Sequence, residues 1–353
     1  MAKKNILFVN QSQFGYHIDY IQYCKYLKEE FEITYICWDY NRKKIEESGI
    51  KVHYVLRNGN IINRNTRFIK SVLSLLNQQK FSLVFIHFFR GASILPFLNL
   101  QRQNMHLDIR TGCVSPNAIQ RLIYNSIIRF ESMFFRSHSI ISIGLRNKLG
   151  INKNAYILPL GANPTYVNRQ IKYKLHLLYI GTLSSRRIED TIEGMRLFLN
   201  KQPKADIFYT IVGDGWQNEK QKLQNRTNKL GLNKHIQLTG YIPHNELMRY
   251  YRRTNVGISY IPITPYYEFQ PVTKTFEYLM SGMPVIATNT YENNLVLNQN
   301  NGILIKDTPE SFACGIEEIY QNIGSFNEDI IRKSVETYSW SRIIQNMKET
   351  ILM

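Results

Sequence analysis

Short apolar runs alternate along the chain with longer stretches whose apolar residues recur every three or four positions. The runs Asn5 to Asn10, Glu32 to Trp38, Val52 to Val55, Leu83 to His87, His106 to Arg110 and Ser139 to Ile143 read as strands. Between the last two, Ala118 to Arg136 has helical spacing. Its Ile119, Leu122, Ile123, Ile127, Phe130, Met133 and Phe134 share one face, expected to pack on the sheet. The rhythm then restarts. After Tyr156 to Gly161 comes a polar, basic stretch to Lys174, read as a linker. It is followed by strands at Leu177 to Ile180, Ile207 to Val212, Ile236 to Leu238, Val256 to Ser259, Val285 to Ala287 and Gly302 to Ile305. Strands alternating with helices predict parallel sheets covered on both faces, here in two series. The expected division is 1–165, 166–338 and a terminal helix 339–353 that packs back on the first domain. Two such domains in series predict ligand sites at the carboxyl ends of their strands, facing a central cleft.

Composition narrows the class. At 353 residues and 44% hydrophobic, the chain has material for two cores. Its four cysteines, Cys24, Cys37, Cys113 and Cys314, are widely separated and form no C-x-x-C pair, which argues against a disulfide framework or a zinc site. No apolar run approaches the ~18 residues of a membrane span, and Asn5 to Asn10 is too short for a signal sequence. The expectation is a cytoplasmic protein.

Charge is unevenly placed. The net is +17, and Lys51 to Leu175 holds eighteen Lys and Arg against Asp108 and Glu131. That segment alone carries +16, which predicts an anionic partner for the first domain. An anionic membrane surface on the inner face of the plasma membrane is the expectation. Arg64, Arg67, Lys70 and Lys80, with Arg121, Arg129 and Arg136, would meet it. Basic character that merely aids solubility is the plainer reading. No nucleic-acid-binding module is visible, and the basic region lacks interleaved aromatics.

The densest candidate chemistry lies between Tyr260 and Thr288. Pro271 precedes a helix that ends near Gly282, and Pro284 opens a buried strand. Lys274 and Glu277 are three apart and share a face in the first turns. A carboxylate there can accept hydrogen bonds from ribose hydroxyls, and a lysine near a helix start can help hold phosphate. A surface ion pair would look the same in sequence.

This segment, through Pro271 or Val272, Lys274, Glu277, Tyr278, Gly282, Pro284, Val285, Ile286 and Ala287, resembles the donor-site signature P-x-K-x-x-E-Y-x-x-x-G-x-P-V-I-A of the family 4-like, group 1 glycosyltransferases of GT-B fold. Three further segments resemble the same family in the expected order. In Gly181-Thr182-Leu183-Ser184-Ser185-Arg186-Arg187, Arg187 stands at the family's diphosphate lysine, Thr182 replaces its arginine, and Arg186 is the nearest substitute. Gly213-Asp214-Gly215 matches the turn after the second strand. Thr239 to Pro243 matches the strand end beside the nucleotide base, with Tyr241 and Ile242 supplying main-chain contacts. The family's second glutamate position is Phe269, with Glu268 one residue off register.

The resemblance implies an α/β GT-B protein with two Rossmann-like parallel-sheet domains. It implies retaining transfer of a sugar from a nucleotide diphosphate sugar to a glycan or lipid-linked acceptor, without metal or cofactor. Glu277, Lys274, Arg187, Arg186, Thr182, Gly181, Gly213, Tyr241 and Ile242 would then bind the donor. His87 and Asp108, at strand ends, are candidates for the catalytic side, a structural role for His87 and a structural salt bridge for Asp108 being the plainer readings. Gly15, His17 and Arg110 are candidates for the acceptor side. A nucleotide-sugar 2-epimerase of the same architecture is the alternative enzyme, and a basic nucleic-acid-binding protein the alternative outside enzymes.

Overall fold

The computed structural model describes residues 3–352. It divides into two compact units, Met1–Leu160 with Trp340–Met353, and Gly161–Ser339.

Unit 1 is built on seven strands: β1 (Lys4–Val9), β2 (Phe31–Asp39), β3 (Ile50–Leu56), β4 (Leu83–His87), β5 (Met105–Ile109), β6 (Ser137–Ile140) and β7 (Tyr156–Ile157). Their order is β3-β2-β1-β4-β5-β6-β7, and every pairing is parallel. Unit 2 has β8 (Leu175–Ile180), β9 (Ile207–Val212), β10 (Ile236–Gly240), β11 (Val256–Ser259), β12 (Val285–Thr288) and β13 (Gly302–Ile305). Their order is β10-β9-β8-β11-β12-β13, again wholly parallel. Both sheets are doubly wound. The direction of winding reverses between β1 and β4 in unit 1 and between β8 and β11 in unit 2. Ligands of such sheets bind outside the carboxyl ends of the strands at these reversals.

The central strands are continuous apolar runs because helices cover both faces. All six residues of β8 are buried. In unit 2, Leu177, Tyr209 and Ile258 on the sheet meet Ile192, Met195, Phe198, Phe312 and Ile316 from two helices in one core. Those helices, Ile188–Lys201 and Pro309–Asn322, approach closely at Gly194, where a Cβ would lie 2.7 Å from the Pro309 carbonyl oxygen. In unit 1, Phe8, Tyr23, Tyr35 and Phe85 share a core with Trp340, Ile343, Ile344 and Met347 of the helix Trp340–Met347.

Three details differ from the sequence-based expectation. The strand placed at Ser139 to Ile143 is Ser137–Ile140, because Ser142 caps a new helix, Ile143–Leu149, by accepting from the Leu145 N–H. The stretch expected to link the domains is stapled to unit 2. The Thr165 N–H donates to the Met280 carbonyl and the Gln170 N–H to the Arg252 carbonyl, while the Arg169 guanidinium reaches Ser281, Thr254 and Glu328.

The third difference is the largest. The helix Ala118–Ser132 has its apolar stripe turned to solvent, with Ile119 70%, Leu122 69% and Met133 70% exposed. Its opposite face is anchored by polar ties. The Glu131 carboxylate accepts the Gly91 and Ser93 N–H groups, Asn125 Oδ1 accepts the Cys113 N–H, and Ile128 is the buried apolar contact. The helical period is as expected and its phase is reversed.

Candidate functional site

At the carboxyl ends of the unit 2 strands, glycines and charged side chains gather. The ends of β8, β9 and β10 are marked by Gly181, Gly213 and Gly240. Gly213 has φ +149°, and a Cβ there would sit 1.8 Å from the Gly181 carbonyl oxygen, so no other residue fits. The strand ends lie backbone against backbone here: the Gly181 N–H donates to the Val212 carbonyl and the Gly213 N–H to the Gly240 carbonyl. The Leu183 N–H donates to the Asp214 carbonyl (3.0 Å) and the Trp216 N–H to Ser184 Oγ (2.7 Å), tying the loop after β8 to the loop after β9. Gly181, Thr182, Arg186, Arg187 and Gly213 are thereby brought together.

Arg187 holds a left-handed conformation (φ +53°) at the start of the helix Ile188–Lys201. Its guanidinium pairs with Asp190 (2.8 Å) and Asp307 (3.3 Å). The two carboxylates are themselves fixed: Tyr260 donates to Asp190 (2.9 Å) and the Ile263 N–H to Asp307 (3.1 Å). Arg186 lies over the Tyr267 ring, 4.4 Å from its centroid. Thr182 is exposed, and its carbonyl accepts from the Tyr179 hydroxyl (2.6 Å).

Across the reversal, the helix Thr273–Met280 starts after β11 at Val272, which offers no side-chain cap. Lys274 and Glu277 are paired and half-buried, and the Tyr251 hydroxyl donates to Glu277 Oε2 (3.2 Å). Burial, then the neighbouring Glu277 charge, pushes the Tyr251 hydroxyl well above its ordinary value, so it stays a donor. Tyr278 anchors the helix. Its ring fills the space over Gly257, where a Cβ would lie 2.3 Å from it, and its hydroxyl accepts the Ile180 N–H of β8 (2.8 Å). Tyr278 of the motif thus joins the helix that carries Lys274 and Glu277 to β11 and to the end of β8, just before Gly181. Phe269 rests against the Tyr291 ring at 5.2 Å, and Glu268 is half-buried. Tyr241, 74% exposed, and Ile242 follow β10 at the same carboxyl rim, on the edge strand.

Unit 1 places two imidazoles at its own reversal. His17 follows β1 and His87 ends β4. Their rings are 5.0 Å apart and edge-on, and both stand over Tyr20. Burial, then Arg110, lowers His17 to about 4; burial, then His17, lowers His87 well below its ordinary value. Both are neutral at pH 7. Beneath them the polar groups are closed off. Asp108 is fully buried and accepts from Tyr20 (3.1 Å) and Ser139 (2.7 Å). Burial, against the pull of Arg110, raises its carboxyl to about 6. Arg110, 5% exposed, gives Nε to Asp19 (2.9 Å) and its other donors to Asp19 and the Leu158 and Pro159 carbonyls.

Asp108 and Arg110 thus lie 3.9 Å apart in a buried salt-bridge network with Asp19. They offer no surface to a substrate and act as the frame under His17 and His87. Gly15 also has a packing reason: with φ +89°, its missing Cβ leaves room for Ile45, which would lie 2.3 Å away.

Sequence reasoning missed Asp190, Asp307, Tyr251, Tyr20 and Asp19. Asp190 had a signal, three residues after Arg187 on one helix. The others reach their partners only through the fold. Among the described residues no group of three His, Cys, Asp or Glu gathers that could hold a metal ion, and no helix is long and apolar enough to cross a membrane.

Residues 174–322 match the family model described as glycosyl transferases group 1. Comparison with curated proteins finds no match. Solved structures resemble the whole chain. The apo lipopolysaccharide outer core galactosyltransferase WaaB has a TM-score of 0.74 at 14% identity, with 99% of each chain covered. Sucrose-phosphate synthase from Thermosynechococcus elongatus has 0.73 at 16%, covering 98% of each. Anabaena HepE, in complex with UDP and glucose, has 0.71 at 13%, covering 99% of each. These likenesses fix the fold, and the protein is thus a GT-B chain whose second unit carries the group 1 glycosyltransferase sequence pattern.

Proposed function

We propose that the protein transfers a sugar, with retention, from a UDP- or GDP-linked donor to a lipid-linked or growing surface glycan. Unit 2 receives the donor, and unit 1 serves the acceptor. The observation that carries this reading is the Lys274–Glu277 pair at the start of the helix Thr273–Met280, beside the β8–β11 reversal. In the free protein Glu277 is satisfied by Lys274 and Tyr251. An arriving ribose exchanges its hydroxyls for the lysine contact, and Lys274 turns to the phosphates. Arg187, held ready by Asp190 and Asp307, and Arg186 meet the diphosphate as negative charge develops on the leaving group. Positive side chains and the uncapped helix start supply that stabilisation, with no cofactor in the scheme. His87 and His17, neutral at the unit 1 reversal, are the polar groups for the sugar and acceptor side. The complex of HepE with UDP and glucose favours UDP as the first donor base to try.

The test is thermal stability with a panel of nucleotide diphosphates, on wild type and Glu277→Ala. A ligand that binds only the folded state raises the melting temperature. A rise with UDP or GDP in wild type, absent in Glu277→Ala, is expected. No rise with any nucleotide at millimolar concentration would remove the donor site.

A further inference from the structure

The exposed stripe of the helix Ala118–Ser132 has no counterpart in the sugar-transfer reading. Ile119, Leu122, Ile123 and Phe130 lie along one side of a helix about 22 Å long and, with Met133 just beyond its end, are each more than half exposed. The stripe continues into the neighbouring segment. Phe134 packs against Phe130 (5.1 Å between ring centroids) and Phe97 (5.0 Å), and Phe97 and Leu100 are 68% and 83% exposed. A groove of about 990 Å³ opens there, lined by Phe97, Phe134, Arg102 and Arg136 among others. Contiguous exposed apolar surface of this kind marks an interaction site.

Charge identifies the occupant. Lys51 to Leu160 carries fifteen Lys and Arg and two acids. The acids are Asp108, 0% exposed, and Glu131, 6% exposed. The whole stretch therefore presents positive charge and no carboxylate to solvent. Arg90, Arg102, Arg129 and Arg136 are exposed in the segments that carry the apolar residues. A second copy of this chain would bring like charge against like charge. Nucleic acid would leave the aliphatic residues without a partner. An anionic bilayer satisfies both features: side chains enter the acyl boundary and arginines meet the headgroups.

We infer that unit 1 docks on anionic lipid bilayers, with the helix Ala118–Ser132 lying in the interface, its apolar stripe inserted and its arginines on phosphate headgroups. The docking face is independent of the donor site, since it uses none of its residues.

The test is co-sedimentation of the full chain with vesicles of phosphatidylcholine alone or with phosphatidylglycerol added. Three proteins are compared: wild type, Leu122→Ser/Ile123→Ser/Phe130→Ser, and Arg102→Asn/Arg136→Gln. The substituted side chains are exposed, so all three should fold, which UDP-independent melting curves verify. Wild type should bind the anionic vesicles and release them at high salt, and each variant should bind about tenfold or more weakly. Wild type failing to bind anionic vesicles at low salt would overturn the inference. So would an apolar variant that binds as wild type does. Concentration-dependent dimerisation that the apolar variant abolishes would assign the stripe to a second copy instead. Vesicle binding needs neither donor nor acceptor, so its failure and a failure of nucleotide binding are separate results.

Discussion

The two units share one winding and put it to different use. Each has the first strand of its series beside the fourth, and each collects its chemistry at that junction. In unit 2 the junction is open and charged, with glycines at three strand ends and Arg187, Lys274 and Glu277 in ion pairs near solvent. At the unit 1 junction the ion pairs of Arg110 with Asp19 and Asp108 lie below the surface, and what reaches upward is aromatic and imidazole. The bulk charge divides as unequally: unit 1 has 24 Lys and Arg against 10 Asp and Glu, unit 2 has 20 against 17. A common scaffold fixes where a ligand can sit. The rim residues decide which kind.

The comparison can be broken most forcefully through Trp340. Its ring is buried in unit 1 against Tyr23, so Trp340→Ala should cost about 3–5 kcal/mol and destabilise unit 1 alone. Hydrogen exchange resolved by segment checks this. Equal loss of protection in Gly161–Ser339 would show that the units do not fold separately.

Acid should separate the units next. Burial lowers His17, His53, His87, His106 and His138 in unit 1, and His176 in unit 2. A histidine depressed in the folded state contributes stability that is whole above about pH 6.5 and is lost as pH falls towards its folded value. His106, lowered to about 3, gives up roughly 2 kcal/mol between pH 7 and 5. Asp108 opposes this. Raised to about 6, it makes unit 1 more stable as pH falls from about 6 to 4, but it is one group against five. Limited proteolysis at pH 5 should cut unit 1 first, and Asp108→Asn should steepen the acid loss.

A division of labour gives the third test. Glu277→Gln should weaken nucleotide binding about tenfold to a hundredfold, from the loss of charge-assisted hydrogen bonds. His87→Ala should lower turnover by about a hundredfold and leave nucleotide affinity unchanged. Calorimetric titration beside steady-state kinetics distinguishes them. Reversed effects would exchange the roles of the units.

The smallest effect is the most specific. Arg187 is about half exposed and its ion pairs are screened, so Arg187→Gln should change stability by less than about 0.5 kcal/mol. The same change should raise the donor KM about tenfold if the guanidinium meets the diphosphate. A stability loss with no change in KM would make Arg187 a structural residue.

Unit 2 was more legible in sequence than unit 1 for a physical reason. Lys274 and Glu277 pair within one turn of a helix, so their spacing alone shows that they meet. In unit 1, the sequence shows Asp108 and Arg110 as strand-end polar groups, fit for a salt bridge or for a ligand, without showing their partners. Their partners Asp19 and Tyr20 lie some ninety residues earlier, and only the sheet brings them together. The helix Ala118–Ser132 shows a different limit. Periodicity finds an apolar face but not what that face meets, and here polar ties to Gly91, Ser93 and Cys113 won the inward position.

The order of the chain has a consequence for synthesis. Unit 1 begins first but lacks Trp340, Ile343, Ile344 and Met347 until all of Gly161–Ser339 has been made. On the ribosome, then, the unit that starts earliest is completed last. Until the helix Trp340–Met347 emerges, Tyr23 and its neighbours are an unfinished apolar surface awaiting a segment from the far side of a finished domain.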